Sequence, residues 1–326
     1  MFAYIIRRLL YAIPILIGVN LITFALFFMV NTPDDMARAQ LGAKQTSPEL
    51  IQAWKVSHGY DKPLFFNAKA SGFGKVTNTL FTQESLKLFM FDFGQSDSGR
   101  QISSDILQRM VPSLSIALPT FMIGLITNIA LALLIVLFRG SVLDSVTMTI
   151  AVAIMSISGL FYIIAGQVLF SKLLHWVPIS GYATGWEGAK FVILPVLIGV
   201  FAGLGSGVRW YRSLFLEEIN KDYVRTARAK GLSEISVLFK HVLQNGLLPI
   251  LTGVVVVIPT LFMGSLIMES FFGIPGLGSY TIDAINSQDF GIVKAMVFLG
   301  SVLYIFGLIL TDISYTFFDP RVRLNG

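Results

Sequence analysis

The chain has 326 residues with 24 Lys and Arg against 19 Asp and Glu, is 54% hydrophobic and only 13% charged, and has a mean hydropathy of +0.73. A water-facing surface uses roughly a quarter charged residues, so this balance excludes an ordinary soluble globular protein. The absence of cysteine excludes disulfides, thiolate metal sites and cysteine nucleophiles, while the net charge of +5 leaves a nucleic-acid reading to be settled by where the basic residues fall.

A helix crosses the hydrocarbon with about 20 apolar residues. Taken in chain order, uncharged runs at Leu9–Val30, Met110–Phe138, Ser145–Ser171, Phe191–Val208, Val242–Met268 and Ala295–Thr311 predict six transmembrane helices in an all-α membrane protein, with Ile313–Phe318 continuing the last beyond Asp312. Pro112, Pro119, Pro249 and Pro259 lie inside these runs, where neighbouring helices re-satisfy the freed carbonyls. Burying all six inside a soluble protein would require about 140 uncharged residues with no amphipathic period.

An even number of spans puts both termini on one side. If that side is the cytoplasm, the inner segments 1–8, 139–144, 209–241 and 319–326 hold 12 Lys and Arg in 55 residues. The short outer loops 172–190 and 269–294 hold 3 in 45. Basic residues in short loops set orientation toward the cytoplasm, so both ends are expected inside. Segment 31–109 carries 9 basic residues, but loops above about 60 residues translocate largely regardless of charge. The basic surplus is a topology signal, and the nucleic-acid reading falls. The first apolar run of 22 residues exceeds a signal-peptide core of about 7–15 and no small-residue cleavage site follows it. Residues 1–30 are therefore read as a cytoplasmic N-terminus and a retained first helix.

Segment 31–109 is an extracytoplasmic insertion. Trp54, Phe65, Phe66, Phe89, Phe91 and Phe93, set among Gly, Ser and near-balanced charge, predict a small ordered cap rather than a disordered linker. Residues 110–318 hold the remaining spans, and 319–326 a cytoplasmic C-terminus.

The inner segment 209–241 reads RWYRSLFLEEINKDYVRTARAKGLSEISVLFKH. Within it Asp222–Lys230 is helix-prone, with Tyr223, Ala227 and Lys230 at helical spacing. Gly231 suits a C-terminal cap at positive φ. Ser233 fits an N-cap, with Glu234 in the first turn of the next helix. The pattern predicts two short helices joined at a fixed bend and projecting from the membrane. Ala227, Ala229 and Gly231 leave the bend bare, so that a partner can close on it. An ordinary solvated loop whose charges only set topology is the competing reading.

DYVRTARAKGL at 222–232, followed by HVLQNGLLP at 241–249, resembles the EAA-type coupling loop of ABC importer permeases, most closely the dipeptide/oligopeptide/nickel family of binding-protein-dependent inner-membrane components. IIRRLLYAIPILIGVNLITFAL at 5–26, DFGQS at 92–96, VPSLSIALP at 111–119, VPISG at 177–181, ESFFGIPGLGSY at 269–280 and DPRVR at 319–323 resemble that family's segments in the same order. Thr226, Ala227 and Arg228 stand where the general loop has Glu-Ala-Ala, and NTPDD replaces a more usual Gly-Asp-Pro after the first helix.

The resemblance implies a type I ABC importer permease, half of a translocation path for di- or oligopeptides. It implies partners: a homologous second permease, two cytoplasmic ABC ATPase subunits, an extracytoplasmic substrate-binding protein and membrane lipid. It places the chain in the bacterial inner membrane as a subunit that is not itself an enzyme and has no cofactor, ATP and Mg being held by the ATPases. Asp222, Tyr223, Arg225, Thr226, Ala227, Ala229, Lys230 and Gly231 would form the ATPase-coupling element. Glu269, Gly273, Pro275, Gly276 and Gly278 would form an outer gate or scaffold loop, a compact re-entrant turn without long side chains. A permease for nickel or another small solute is the alternative.

Other constellations are weaker. No G-x-x-x-x-G-K-[ST] phosphate loop occurs, and GLGSG at 203–207 reads as close helix packing. His58, His175 and His241 fall on separate loops with no second ligand pattern. Glu269, Lys294 and Asp312 sit at span ends, where structural pairing is expected, Asp312 with Arg321 or Arg323. An ion-coupled secondary transporter would want an internal repeat and midplane charges, and the sequence offers neither. A membrane enzyme lacks a catalytic constellation.

Overall fold

A computed structural model describes residues 2–42 and 47–318. The DPRVR segment and the expected partners of Asp312, Arg321 and Arg323, lie outside the described residues. Secondary structure among the described residues is helical, apart from one isolated bridge between Gln95 and Gln101. Among the described residues five helices are long and apolar enough to cross a membrane, and a bent pair makes a sixth if counted as one broken span. The chain divides into two compact units, residues 1–109 with 280–309, and residues 110–279 with 310–325.

The first unit begins with α1 (Phe2–Ala25), which continues as a wider turn over Leu26–Val30. The insertion that follows folds into α2 (Pro33–Leu41), α3 (Pro48–His58), α4 (Gly74–Thr77) and α5 (Leu80–Phe89). Its helix starts are written in the sequence. Thr32 and Asp35 form a reciprocal capping box, Ser47 and Thr79 cap the next two longer helices, and Pro33 and Pro48 stand at first positions, where their missing N–H costs nothing. Phe24, Phe28, Met36 and Leu80 form its core, and Asn20 Nδ2 donates to Ser85 O at 3.0 Å. The rest of this unit is α14 (Leu277–Ser287) from Tyr280 onward and the first part of α15 (Phe290–Phe318). There Lys294 is buried and paired with Glu84, beneath the Phe28 ring. This is the structural pairing expected of an ionisable residue on a membrane helix.

The second unit takes most of α6 (Ile102–Leu137), then α7 (Val142–Ser156), α8 (Gly159–Gly166), α9 (Ala189–Ile219), α10 (Asp222–Ala229), α11 (Glu234–Val237), α12 (Gln244–Thr260) and α13 (Leu266–Phe272). Three boundaries differ from the sequence reading. Ser145–Ser171, expected as one span, is broken by 89° between α7 and the helical run Gly159–Leu173. Ile157 and Ser158 are extended there, and the freed Ile154 carbonyl accepts from the Ile157 N–H and the Tyr162 hydroxyl. Uniform hydropathy hides a break whose polar groups are satisfied from within.

Helix α9 runs eleven residues past the predicted end of its span, to Ile219. Phe215 and Ile219 pack in the core, and Arg212 makes two 2.9 Å hydrogen bonds to the Asp144 carboxylate. The run Val242–Met268 ends early, at a tight turn over Leu261–Met263 and Gly264 with φ +68°. Met268 belongs to the separate helix α13.

Candidate coupling helix and outer loop

Helix α10 is amphipathic in the chain itself. Val224 and Ala227 are buried in a core with Ala132, Leu133, Val136, Phe215 and Leu238. Asp222, Arg225, Thr226, Ala229 and Lys230 are exposed on the other side. The sequence reading put Ala227 on the bare surface; the structure buries it to 4% exposure, because α10 needs an apolar anchor and Ala227 falls one helical turn after Val224.

The bend is fixed by several local devices. Gly231 has φ +78°, a conformation that costs a side-chain-bearing residue about 1–3 kcal/mol. Its N–H donates to Arg228 O, and Leu232 N–H reaches back to Ala227 O, closing the last turn. Ser233 then caps α11 through Ser236 N–H. Across the bend Arg228 forks onto Glu234, with Nε at 2.7 Å and Nη2 at 3.1 Å from its two carboxylate oxygens. At the start of α10, Glu218 receives both the Tyr223 hydroxyl and Lys221 Nζ. That hydrogen bond and charge hold the Lys221 ammonium above its ordinary value, while burial and then Glu218 raise the Tyr223 phenol. Sequence reasoning does not single out Glu218, and it reads Glu234 only as a first-turn acid of the next helix, not as the partner of Arg228. Their signal was only acidic residues flanking a basic helix.

The candidate outer loop is organised around Glu269, which is 1% exposed. Its carboxylate accepts from the N–H groups of Ser265 and Ser279, both at 3.1 Å, with the Ser113 hydroxyl and Gly278 N–H adding to the cage. It thereby caps the positive end of α14. Ser113 Oγ accepts from Leu277 N–H at 2.7 Å. The glycines are places where this cage leaves no room. A Cβ on Gly276 would strike the Glu269 carboxylate and one on Gly278 would lie 2.6 Å from the Ser265 carbonyl carbon. Gly273 has φ +64° and ends α13, followed by Ile274 and Pro275.

Gly181 N–H donates to Phe272 O at 2.8 Å, and Gln167 Nε2 bridges Ile179 O and Phe271 O. Segments 111–119, 177–181 and 269–280, read separately in the sequence, thus meet at one loop. Ser113, Gln167, Gly264 and Ser265 were missed, because only the tertiary structure brings them to Glu269 and α13.

Two family models match. The binding-protein-dependent transport system inner membrane component matches residues 105–324, and the N-terminal membrane component of the same systems matches residues 1–117. A Brucella abortus (strain 2308) protein, named by inference as a peptide transport system permease, is 34% identical over 333 residues, covering 100% of both chains. The oligopeptide transport system permease protein of Bacillus subtilis (strain 168) is 31% identical, over 99% of this chain and 100% of its own. The glutathione transport system permease protein of Shigella flexneri serotype 5b is 31% identical over 99% of each.

Proposed function

The chain belongs to the binding-protein-dependent transport system inner membrane components, and from that membership we propose that it is the permease subunit of a peptide importer, contributing half of the translocation path. Full-length similarity to permeases of peptide, oligopeptide and glutathione systems favours peptides over nickel or another small solute. The subunit hydrolyses nothing itself. ATP and Mg act on two ABC ATPase partners, a homologous permease completes the path, and an extracytoplasmic binding protein delivers cargo. Both termini and residues 209–241 face the cytoplasm, and residues 31–109 the opposite side.

One observation carries the coupling role: α10 is locked to the membrane helices by one face and leaves the other free. Asp222, Tyr223, Arg225, Thr226, Ala227, Ala229, Lys230 and Gly231 form this element, with the exposed members meeting the ATPase and Val224 and Ala227 transmitting its displacement. A helix seated on a core shared with α6 and α9 moves with them rather than flexing. When ATP closes the ATPase dimer, the pair of coupling helices is drawn together and the spans rock between outward and inward access. ATP shifts that balance only through differential binding of the ATPase to the two states. At the other end Glu269, Gly273, Pro275, Gly276 and Gly278 form a stiff scaffold for the outer gate.

Gly231→Val tests the assignment in the complete transporter. It is expected to insert and accumulate normally, yet lose the co-purifying ATPase or its stimulation by loaded binding protein, with peptide uptake down at least about tenfold, the equivalent of 1.4 kcal/mol in coupling. Normal uptake with normal ATPase recovery overturns the coupling role of α10.

A further inference from the structure

Helices α6 and α9 pack in matched register. Thr120 rests on Gly199, where a Cβ would lie 2.8 Å from Thr120 Cγ2, and eight residues later on both helices Asn128 rests on Gly207, at 2.5 Å. Gly203 falls midway on the same face of α9, as Gly124 does on α6. A Cβ on either would meet nothing within 4 Å. The seam is therefore two tight contacts, each made by a side chain that carries a polar group, with bare space between them.

Close packing explains the glycines but not the polar side chains. Asn128 is 7% exposed, and its Oδ1 is sealed from solvent without a hydrogen bond, as is Thr120 Oγ1. Both lie in the span Ile102–Leu137, where an unpaired buried polar atom is costly and an apolar side chain of equal size would pack as well. Such a cost persists where another state of the protein uses the group.

We infer that the α6–α9 seam is a substrate contact of this subunit, in which Asn128 and Thr120 hydrogen-bond the main chain of the translocating peptide when the helices part. The inference rests on the peptide reading above. Eight helical residues span roughly 12 Å, the length of about three to four residues of extended chain. Main-chain amides offer the donors that Oδ1 and Oγ1 lack, whatever the peptide's sequence. Gly124 and Gly203 leave the backbone room to enter.

The test uses the full complex in proteoliposomes with loaded binding protein. The pair Thr120→Cys and Gly199→Cys is placed in a cysteine-free chain where a Cβ at 199 would lie 2.8 Å from Thr120 Cγ2, so that oxidation can close a disulfide across the seam. Oxidation is expected to cut uptake at least tenfold and reductant to restore it. A photoreactive diazirine side chain at position 124 is expected to form adducts with labelled peptide during turnover. Asn128→Leu is expected to raise the melting temperature and to lower peptide moved per ATP about tenfold. Full uptake through the oxidised pair, no adduct at 124, or a lowered melting temperature for Asn128→Leu each overturns the seam as a substrate contact. Failure of the unmodified complex to import any peptide overturns the substrate reading itself, and the seam contact with it.

Discussion

At the scale of single residues, the polar groups are held where their electrostatics can be read. Asp97, in the loop after α5, donates its N–H to Asp289 Oδ2 at 2.8 Å and presents its carboxylate to Gln40 and, at 3.6 Å, to His58 Nε2. Burial and then the Asp289 charge raise its carboxyl above the ordinary range, outweighing His58 and Gln40. A carboxyl with a raised folded-state pKa binds its proton more tightly in the folded chain. Its stabilising contribution is present in acid and is lost as pH rises through the folded value. Asp97→Asn removes that loss while keeping an acceptor for Gln40. Thermal melts are expected to match wild type at about pH 4, near the ordinary carboxyl value, and to exceed it at neutral pH. A variant no more stable than wild type at neutral pH sinks the account of a buried carboxylate beside the Asp289 charge. The buried Glu269 carboxyl instead accepts from the N–H groups of Ser265 and Ser279, and its place at the start of both helices organises that loop.

Among the elements, α10 shows how a short helix becomes a rigid connector. Eight residues are too few to hold a helix in water. Its order comes from Val224 and Ala227 in a shared core and from the Arg228–Glu234 fork across Gly231. This separates two substitutions that look alike in the sequence. Ala227→Asp buries a carboxylate without a partner, a cost of several kcal/mol, and is expected to lower the melting temperature and the yield of folded permease. Ala229→Asp, on the exposed side, is expected to leave melting and accumulation within error while weakening ATPase recovery. Equal melting temperatures for the two variants would show that the two faces of α10 are not distinct.

For the whole molecule, the proposed orientation rests on the basic residues of the short loops. Single cysteines at Ser71 and Asn220, both exposed, report it without background in a chain that has none. In spheroplasts a membrane-impermeant thiol reagent is expected to label position 71 alone, and both positions after permeabilisation. Labelling of position 220 alone in intact spheroplasts would invert the topology. The insertion 31–109 is helical and capped at its starts by residues legible in the sequence, Thr32, Ser47 and Thr79. Its core is not legible there, because Phe24 and Phe28 come from the end of the first span.

The sequence by itself determined class, approximate spans and the two-helix bend, because these depend on local quantities: apolar run length, basic bias, and the glycine and serine at 231 and 233. Motif order along the chain determined the family. Only the tertiary structure decided which side of α10 is anchored, where the third hydrophobic run breaks, and which residues surround Glu269. Each of those depends on contacts between residues far apart in sequence, such as Ser113 with Leu277, Gly181 with Phe272 and Asp144 with Arg212. Hydropathy is blind to them, since a buried carbonyl satisfied by a distant hydroxyl and one satisfied by its own helix read the same in a chain of apolar letters.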